Sequence, residues 1–184
     1  SVMQKIWQWI VLSTASLAGT VFFRILNRLE VTGMRRYSGP VIFYANHRSS
    51  FDPLVILFGC LLRPLRTILG LSPAVYPIAF DGQLKGWRRW LVKPARIILH
   101  TPFEPGNLER LISEVLAAIA QGGNLLIFPE GQRYRGRTES DLAKFEAGLA
   151  WLVKHCQAEV VPVAVLGSAE LFSRDFYLPR IGRR

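Results

Sequence analysis

The 184-residue chain is poor in cysteine, histidine and acidic side chains. It has two cysteines and three histidines, and 13 Asp or Glu stand against 23 Lys or Arg. Cys60 and Cys156 lie in apolar stretches without a CxxC or a Cys/His spacing. This pattern favours neither a disulfide framework nor a metal site, so we expect two buried thiols in a reducing environment.

Several common catalytic and binding motifs are also absent. Ser49 and Ser50 are not embedded in GxSxG, which disfavours covalent serine catalysis. HExxH, the P-loop and GxGxxG are missing, which removes the commonest metalloprotease, nucleotide and dinucleotide interpretations. No helix-turn-helix, zinc-finger or aromatic RNP pattern is present. A nucleic-acid partner therefore has no support other than the positive net charge. We expect no metal, no cofactor and no nucleic acid.

The formal net charge of +10 predicts an anionic partner. Arginines supply most of this charge and are scattered along the chain, and an apolar segment accompanies them. Membrane lipid therefore fits the charge better than nucleic acid does.

The apolar segment covers residues 6–23 and contains no charged side chain. As a helix it would extend roughly 27 Å, slightly less than a hydrocarbon core of about 30 Å. Trp7 and Trp9 lie at one end, and Arg24 and Arg28 follow the other. This pattern fits a membrane-spanning helix and equally an interfacial or re-entrant anchor. A cleaved signal peptide is a third interpretation.

Short apolar runs alternate with helical patterns along the rest of the chain. Strands are predicted at residues 29–31, 41–45, 97–99, 125–128 and 160–165. Helices are predicted at 54–62, after an Asp52 N-cap and Pro53, at 108–119, and between 142 and 153. Residues 63–94 are rich in proline and glycine and receive no assignment. The alternation predicts an α/β three-layer domain with a largely parallel sheet.

This organisation suggests two parts. Residues 1–28 are predicted to form a membrane-associated helix, and residues 29–184 to form the domain that carries the chemistry. The chain does not begin with Met, and no final strand is recognisable after residue 165, so we expect it to be a piece of a longer protein.

Two groups of polar residues follow predicted strands, where chemistry gathers in open α/β sheets. His47 follows residues 41–45, and Asp52 stands five positions later, so the pair could act as a general base and its orienting carboxylate. A loop brace with a helix cap is the alternative. Glu130 follows the strand at 125–128, before arginines 133, 135 and 137 that could hold a phosphate or form a solvated loop.

These residues resemble the glycerolipid acyltransferases, which include the bacterial lysophosphatidic acid acyltransferases. His47 and Asp52 match the HxxxxD motif of that family within NHRSSFD, and residues 128–131 match its FPEG motif. Val161-Pro162-Val163 is similar to its later VPV block. The resemblance extends from about residue 31 to residue 165, and two ordered motifs make chance similarity improbable.

The resemblance implies a glycerolipid-acyltransferase-like domain that transfers a fatty acyl group in phospholipid biosynthesis or remodelling. The donor would be acyl-CoA or acyl-carrier protein, and the acceptor the hydroxyl of a lysophospholipid such as lysophosphatidic acid. His47 would be the general base and Asp52 its orienter, without an acyl-enzyme. Glu130, Gly131 and Arg133 would bind the acceptor. The enzyme would associate with anionic lipid, at the cytoplasmic face of the inner membrane in a bacterium.

The sequence departs from the family pattern in the stretch that usually contacts the acceptor phosphate. Ala95 stands where the family has a glycine, and His100-Thr101 lie near the expected arginine. Either Arg96 or Arg135 then supplies the phosphate contact, or the acceptor is not a simple glycerol phosphate. A catalytically silent lipid-binding or membrane-shaping module on the same scaffold is the alternative function.

Overall fold

The computed structural model describes residues 2–49, 51–72, 74–80, 96–100, 106–131, 133, 142 and 144–168. The strands of this part are β1 (Val41–Ala45), β2 (Val75–Phe80), β3 (Ile98–His100), β4 (Asn124–Ile127) and β5 (Glu159–Val163). Its α-helices are α1 (Val2–Gly19), α2 (Asp52–Leu54), α3 (Pro64–Ile68), α4 (Asn107–Ala120) and α5 (Ala147–His155). Two π-helical segments, Thr20–Leu26 and Val55–Leu61, continue α1 and α2.

The five strands form one parallel sheet in the order β3-β2-β4-β1-β5. Phe43 in the central strand β1 pairs with Leu126 of β4 on one side and Val161 of β5 on the other. Strands of a parallel sheet are usually covered on both faces, so their sequences are almost wholly apolar, as β1 and β4 are here. The predicted α/β class with a largely parallel sheet is confirmed.

Alternate residues of the strands point into two separate hydrophobic clusters. Val41 and Phe43 pack on one face with Val55 and Ile56 of the π-helical segment. Ile42 packs on the opposite face with Leu125 and with residues of α4 and α5. Helices therefore cover both faces of the sheet, which confirms the predicted three layers.

Helix α1 packs against the helices that follow β1. The Ser16 hydroxyl is fully buried and donates a hydrogen bond to the Leu62 carbonyl oxygen at 2.6 Å. The Trp9 indole N–H donates to the Ile68 carbonyl oxygen at 3.0 Å. Because leaving a buried hydroxyl unpaired costs free energy, the bond from Ser16 fixes α1 against the domain.

Two glycines allow this close approach. A Cβ atom on Gly19 of α1 would lie 2.3 Å from the Phe58 Cβ, and one on Gly59 would lie 2.5 Å from a Leu29 methyl group. Arg24 adds a hydrogen bond from its Nε to the Gly59 carbonyl oxygen at 2.7 Å. The apolar N-terminal segment is thus joined to the helix that begins at Asp52.

The continuous helix Val2–Leu26 is long and apolar enough to cross a membrane, judged by its length and composition only. The same criteria are met by signal sequences and by core helices of soluble proteins. In this helix only 17% of the most apolar window is buried inside the protein, so most of its apolar side chains face outward.

The predictions for β1 and α4 are confirmed. Strand β1 has the predicted bounds, and α4 ends before Gly122, whose φ of +75° is one that few other residues adopt. The predicted strand at 29–31 is wrong. The Leu29 N–H instead donates to the Phe23 carbonyl oxygen at 2.8 Å, so Leu29 is bonded back to the N-terminal helix and residues 29–31 form no strand of the sheet.

The unassigned stretch 63–94 contains α3 and β2 within its described part. Pro77 lies in the middle of β2, and a proline usually argues against a strand inside a sheet because it lacks the N–H donor. Strand β2 nevertheless lies between β3 and β4, and it contributes Val75 to one hydrophobic cluster and Ile78 to the other. Packing on both faces outweighs the unfavourable proline.

Candidate active site

The candidate site lies at the carboxyl ends of β1 and β4. These strands are parallel neighbours, with Tyr44 paired to Ile127, so the segments that follow them leave the sheet side by side. The first is the His47 loop, residues 46–49, and the second is the Glu130 turn, residues 128–131. The structure thus brings together the two motifs that the sequence separates by about eighty residues, at the sheet edge where ligands of open α/β folds bind.

His47 and Asp52 form a direct pair. The distance between His47 Nδ1 and Asp52 Oδ2 is 3.0 Å, and the two residues are 7% and 0% exposed. An ionised carboxylate only accepts hydrogen bonds, so in the neutral imidazole the proton lies on Nδ1. The Nε2 atom then carries the lone pair, and it makes no hydrogen bond to any residue that the structure describes. This is the arrangement of a general base with an orienting acid.

The carboxylate of Asp52 also organises the His47 loop. Its Oδ2 atom accepts hydrogen bonds from the backbone N–H groups of Arg48 and Ser49, both at 2.7 Å. The predicted N-cap role is wrong, because Phe51 is the residue at the N-cap and Asp52 is the first helical residue. One oxygen atom therefore makes the contacts that both interpretations of the sequence require, to the backbone of the loop and to the imidazole.

Two further contacts hold the His47 loop, and neither was predicted from the sequence. The imidazole packs on the Phe128 ring at a centroid distance of 4.3 Å and an interplanar angle of 31°. The side-chain amide of Asn46 donates to the Val165 carbonyl oxygen at 2.8 Å and accepts from the Val165 N–H at 2.7 Å. The position of Asn46, directly before the candidate base at the end of a strand, is the feature of the sequence from which a supporting contact could have been predicted.

Glu130 lies under the His47 loop rather than at the surface. It is 3% exposed, and its Oε1 atom accepts a hydrogen bond from the His47 backbone N–H at 3.1 Å. Gly131 has a φ of +67°, and its N–H donates to the Phe128 carbonyl oxygen at 3.0 Å. This tight turn requires a left-handed residue, which explains the glycine of the FPEG motif.

The three arginines predicted to bind phosphate do not lie together in the described part of the structure. Arg133 is exposed and follows the Glu130 turn, whereas Arg135 lies outside the described residues. Arg96 precedes β3, and its guanidinium lies 6.0 Å from the centre of the Tyr76 ring near the amino end of β2.

The placement of Arg96 corrects one of the sequence predictions. The registers of β3, β2, β4 and β1 put Arg96 level with Ile42, the second residue of β1, and three strands away from it. Strand spacing and rise then separate Arg96 from His47 by roughly 20 Å. Arg96 is therefore not part of the site at the carboxyl ends of the strands.

A mostly apolar cavity of about 850 Å³ lies beside the site. Phe43 and Val165 contribute to its wall, and the backbone of Val165 is bonded to Asn46. Cys60 is also in the wall, and burial raises the pKa of its thiol while the positive charge of Arg24 partly opposes this. The thiol is consequently protonated near neutral pH, which makes it a poor nucleophile.

Comparison with known proteins gives a consistent result. The family described as Acyltransferase matches residues 28–166. A Mycoplasma pneumoniae protein named "Probable 1-acyl-sn-glycerol-3-phosphate acyltransferase" is 26% identical over 131 residues, which cover 70% of this chain and 45% of that protein. A 1-acyl-sn-glycerol-3-phosphate acyltransferase of Chlamydomonas reinhardtii is 29% identical over 132 residues, covering 72% of this chain and 36% of the relative.

The chain spans less than half the length of either curated relative. The family match nevertheless begins where the N-terminal helix ends and continues past β5, so it includes the whole described sheet and both motifs. This chain belongs to the Acyltransferase family, as its resemblance to the glycerolipid acyltransferases had indicated.

Proposed function

We propose that this protein transfers a fatty acyl group from an acyl thioester, acyl-CoA or acyl-carrier protein, to the hydroxyl of a lysophospholipid. The observation that carries the proposal is the 3.0 Å contact between His47 Nδ1 and Asp52 Oδ2, which leaves Nε2 as the basic atom. The names of both relatives support lysophosphatidic acid as the acceptor.

The proposed reaction needs one base and no acyl-enzyme. His47 Nε2 removes the proton of the acceptor hydroxyl while that oxygen attacks the thioester carbonyl carbon. The new C–O ester bond forms, the C–S bond breaks, and the imidazolium returns its proton to the departing thiolate. The negative charge of Asp52 stabilises the imidazolium during the step, as the carboxylate of a serine triad does.

We assign the acceptor phosphate to Arg133 in this scheme. Arg133 is exposed and lies two residues after Gly131, at the same edge of the sheet as His47. Guanidinium groups bind phosphate oxygens through paired, charge-assisted hydrogen bonds. A contribution from Arg135 stays a prediction, because that residue lies outside the described part of the chain.

We further propose that α1 and α3 hold the protein on an anionic membrane, at the cytoplasmic face of the inner membrane in a bacterium. The exposed surface of these helices and of the residues that follow α3 is mostly apolar, and it includes Val2, Met3, Ile6, Trp7, Trp9, Ile10, Leu65, Ile68, Leu69 and Leu71. Lys5 in α1, Arg66 in α3 and Arg63 directly before α3 add positive charge for acidic headgroups. The Ser16 bond and the Gly19 contact join α1 to the domain, which favours an interfacial anchor.

Mass spectrometry of lipid products tests this function. The full-length protein is incubated with acyl-CoA or acyl-carrier protein and an equimolar mixture of lysophospholipids with different headgroups. We expect phosphatidic acid as the main new product. If the protein binds vesicles but acylates no acceptor with either donor, the catalytically silent lipid-binding module is the better description.

A further inference from the structure

We infer that Glu130 is a positioning residue that holds the backbone of His47, and that it is not a ligand of the acceptor. This inference rests on the proposed function, because it assigns Glu130 a part in presenting the general base. It differs from the role that the family resemblance implies for this glutamate.

The first support is the hydrogen bond itself. Glu130 Oε1 accepts from the N–H of His47 at 3.1 Å, across the boundary between β4 and β1. A hydrogen bond to a carboxylate is stronger than one between neutral groups, and in a buried place the unpaired N–H would be costly. The glutamate therefore determines the position of the peptide from which the imidazole projects.

The second support is that the rest of the Glu130 turn also acts on His47. Phe128 packs against the imidazole ring, so one turn contacts both the backbone and the side chain of the base. The turn is itself held, because the Gly131 N–H donates to the Phe128 carbonyl oxygen at 3.0 Å and the Glu146 N–H donates to the Pro129 carbonyl oxygen at 2.7 Å. A rigid turn can maintain a reactive geometry that a mobile one would lose.

Glu130 is also poorly suited to bind the headgroup of the acceptor. With 3% of its surface exposed, it could not reach a bulky lipid headgroup without rearrangement. A carboxylate would also repel the phosphate of a lysophosphatidic acid, since like charges that are close together and poorly solvated raise the free energy. Exposed Arg133 has the charge that a phosphate requires.

Steady-state kinetics of three variants separate the two roles. Glu130→Ala removes the oxygen that accepts the hydrogen bond from His47, and Glu130→Gln keeps a carbonyl oxygen at the same place. Glu109→Ala, the control, removes an exposed glutamate of α4 that has no contact with the turn. Positioning predicts that Glu130→Ala lowers kcat by about 10- to 100-fold, with the KM for the acceptor within about twofold of wild type. Glu130→Gln should lose about fivefold or less, because a neutral oxygen still accepts the bond. Glu109→Ala should match wild type.

Amide hydrogen exchange of His47, followed by NMR or on a peptide containing it, supplies a readout that does not depend on turnover. Glu130→Ala should accelerate exchange of this amide by about tenfold or more, whereas Glu130→Gln should change it little. Unchanged exchange in Glu130→Ala overturns the inference, and so does a rise in acceptor KM with kcat preserved. If the wild type transfers no acyl group, the proposed function fails, but the exchange measurement still decides whether Glu130 holds His47.

Discussion

A single oxygen atom of Asp52 accepts three hydrogen bonds, from the imidazole of His47 and from the backbone N–H groups of Arg48 and Ser49. The bonds to the backbone shape the loop, and the bond to Nδ1 selects the tautomer of the base. Two of the three partners are neutral backbone groups, so an uncharged oxygen could also hold the loop. Stabilising a protonated His47, by contrast, requires the negative charge of Asp52.

Replacing Asp52 by asparagine should separate these two roles. The amide oxygen of Asp52→Asn can still accept from the backbone of the loop, but it carries no charge to stabilise an imidazolium. We expect kcat for acyl transfer to fall by about 100-fold or more, while the free energy of unfolding falls by about 2 kcal/mol or less. Turnover in lipid vesicles and chemical denaturation measure the two quantities. Equal turnover in variant and wild type would show that Asp52 is only a brace.

The pairing of His47 with Asp52 could be predicted from the sequence, whereas the contacts that support this pair could not. His47 and Asp52 are five positions apart, so one turn between a strand and a helix brings them together. The bonds from Asn46 to Val165 and from His47 to Glu130 join residues that are 119 and 83 positions apart. Such contacts depend on the order of strands in the sheet, and no local pattern encodes that order.

At the scale of elements, the N-terminal helix is packed on the helix that carries Asp52. The closest approach is at Gly19, where a Cβ atom would lie 2.3 Å from the Phe58 Cβ, an atom that cannot move without its backbone. The hydrogen bond from Ser16 to Leu62 continues the same contact. Any side chain at position 19 should therefore separate the two helices.

Two alanine substitutions at helical glycines should have opposite effects. At Gly148 in α5 nothing lies within 4 Å of the added Cβ, so Gly148→Ala should stabilise the protein by up to about 1 kcal/mol through helix propensity. Gly19→Ala should instead destabilise it by about 1 to 3 kcal/mol, because the helices overlap. Chemical denaturation of both variants measures the difference. If Gly19→Ala is as stable as Gly148→Ala, α1 does not pack as described.

The elements were predicted where periodicity was local and clear. Helix α4 follows the helical period between Asn107 and two glycines, and β1 is a short apolar run after a turn. Strand β2 could not be predicted, because Pro77 argues against a central strand and only packing on both sides of the sheet overrides it. The strand predicted at 29–31 does not form, because the Leu29 N–H is bonded to the end of the preceding helix. A local apolar pattern does not reveal this contact.

At the scale of the whole molecule, the two sides of the sheet differ in their surfaces. The side that carries α1 and α3 exposes many large apolar residues, including Trp7 and Trp9, whereas α4 and α5 on the other side expose fewer, among them Leu108, Leu116 and Val153. Isolated exposed leucines are normal in soluble proteins, whereas large contiguous apolar patches mark interaction sites. The site at the carboxyl ends of the strands would then act on acceptors from the membrane beneath α1 and α3.

Two leucines of equal exposure test which side contacts lipid. Leu69, after α3, is 59% exposed, and Leu108, in α4 on the opposite side of the sheet, is 60% exposed. We expect Leu69→Ser to weaken binding to anionic vesicles by about tenfold, because burying a leucine in the interface is worth roughly 1.5 kcal/mol or more. Leu108→Ser should bind as the wild type does. Equal effects in a vesicle sedimentation assay would contradict the proposed orientation.

In the proposed reaction the imidazole of His47 takes the proton of the acceptor hydroxyl, so replacing His47 by alanine should abolish this step. Turnover of acyl thioester and lysophosphatidic acid is measured for wild type and for His47→Ala, with vesicle binding and unfolding free energy checked in both. We predict that His47→Ala binds vesicles normally, stays folded and loses about 100-fold or more in kcat. A folded His47→Ala variant whose turnover stays within about twofold of wild type would contradict the account, since a general base contributes far more than that.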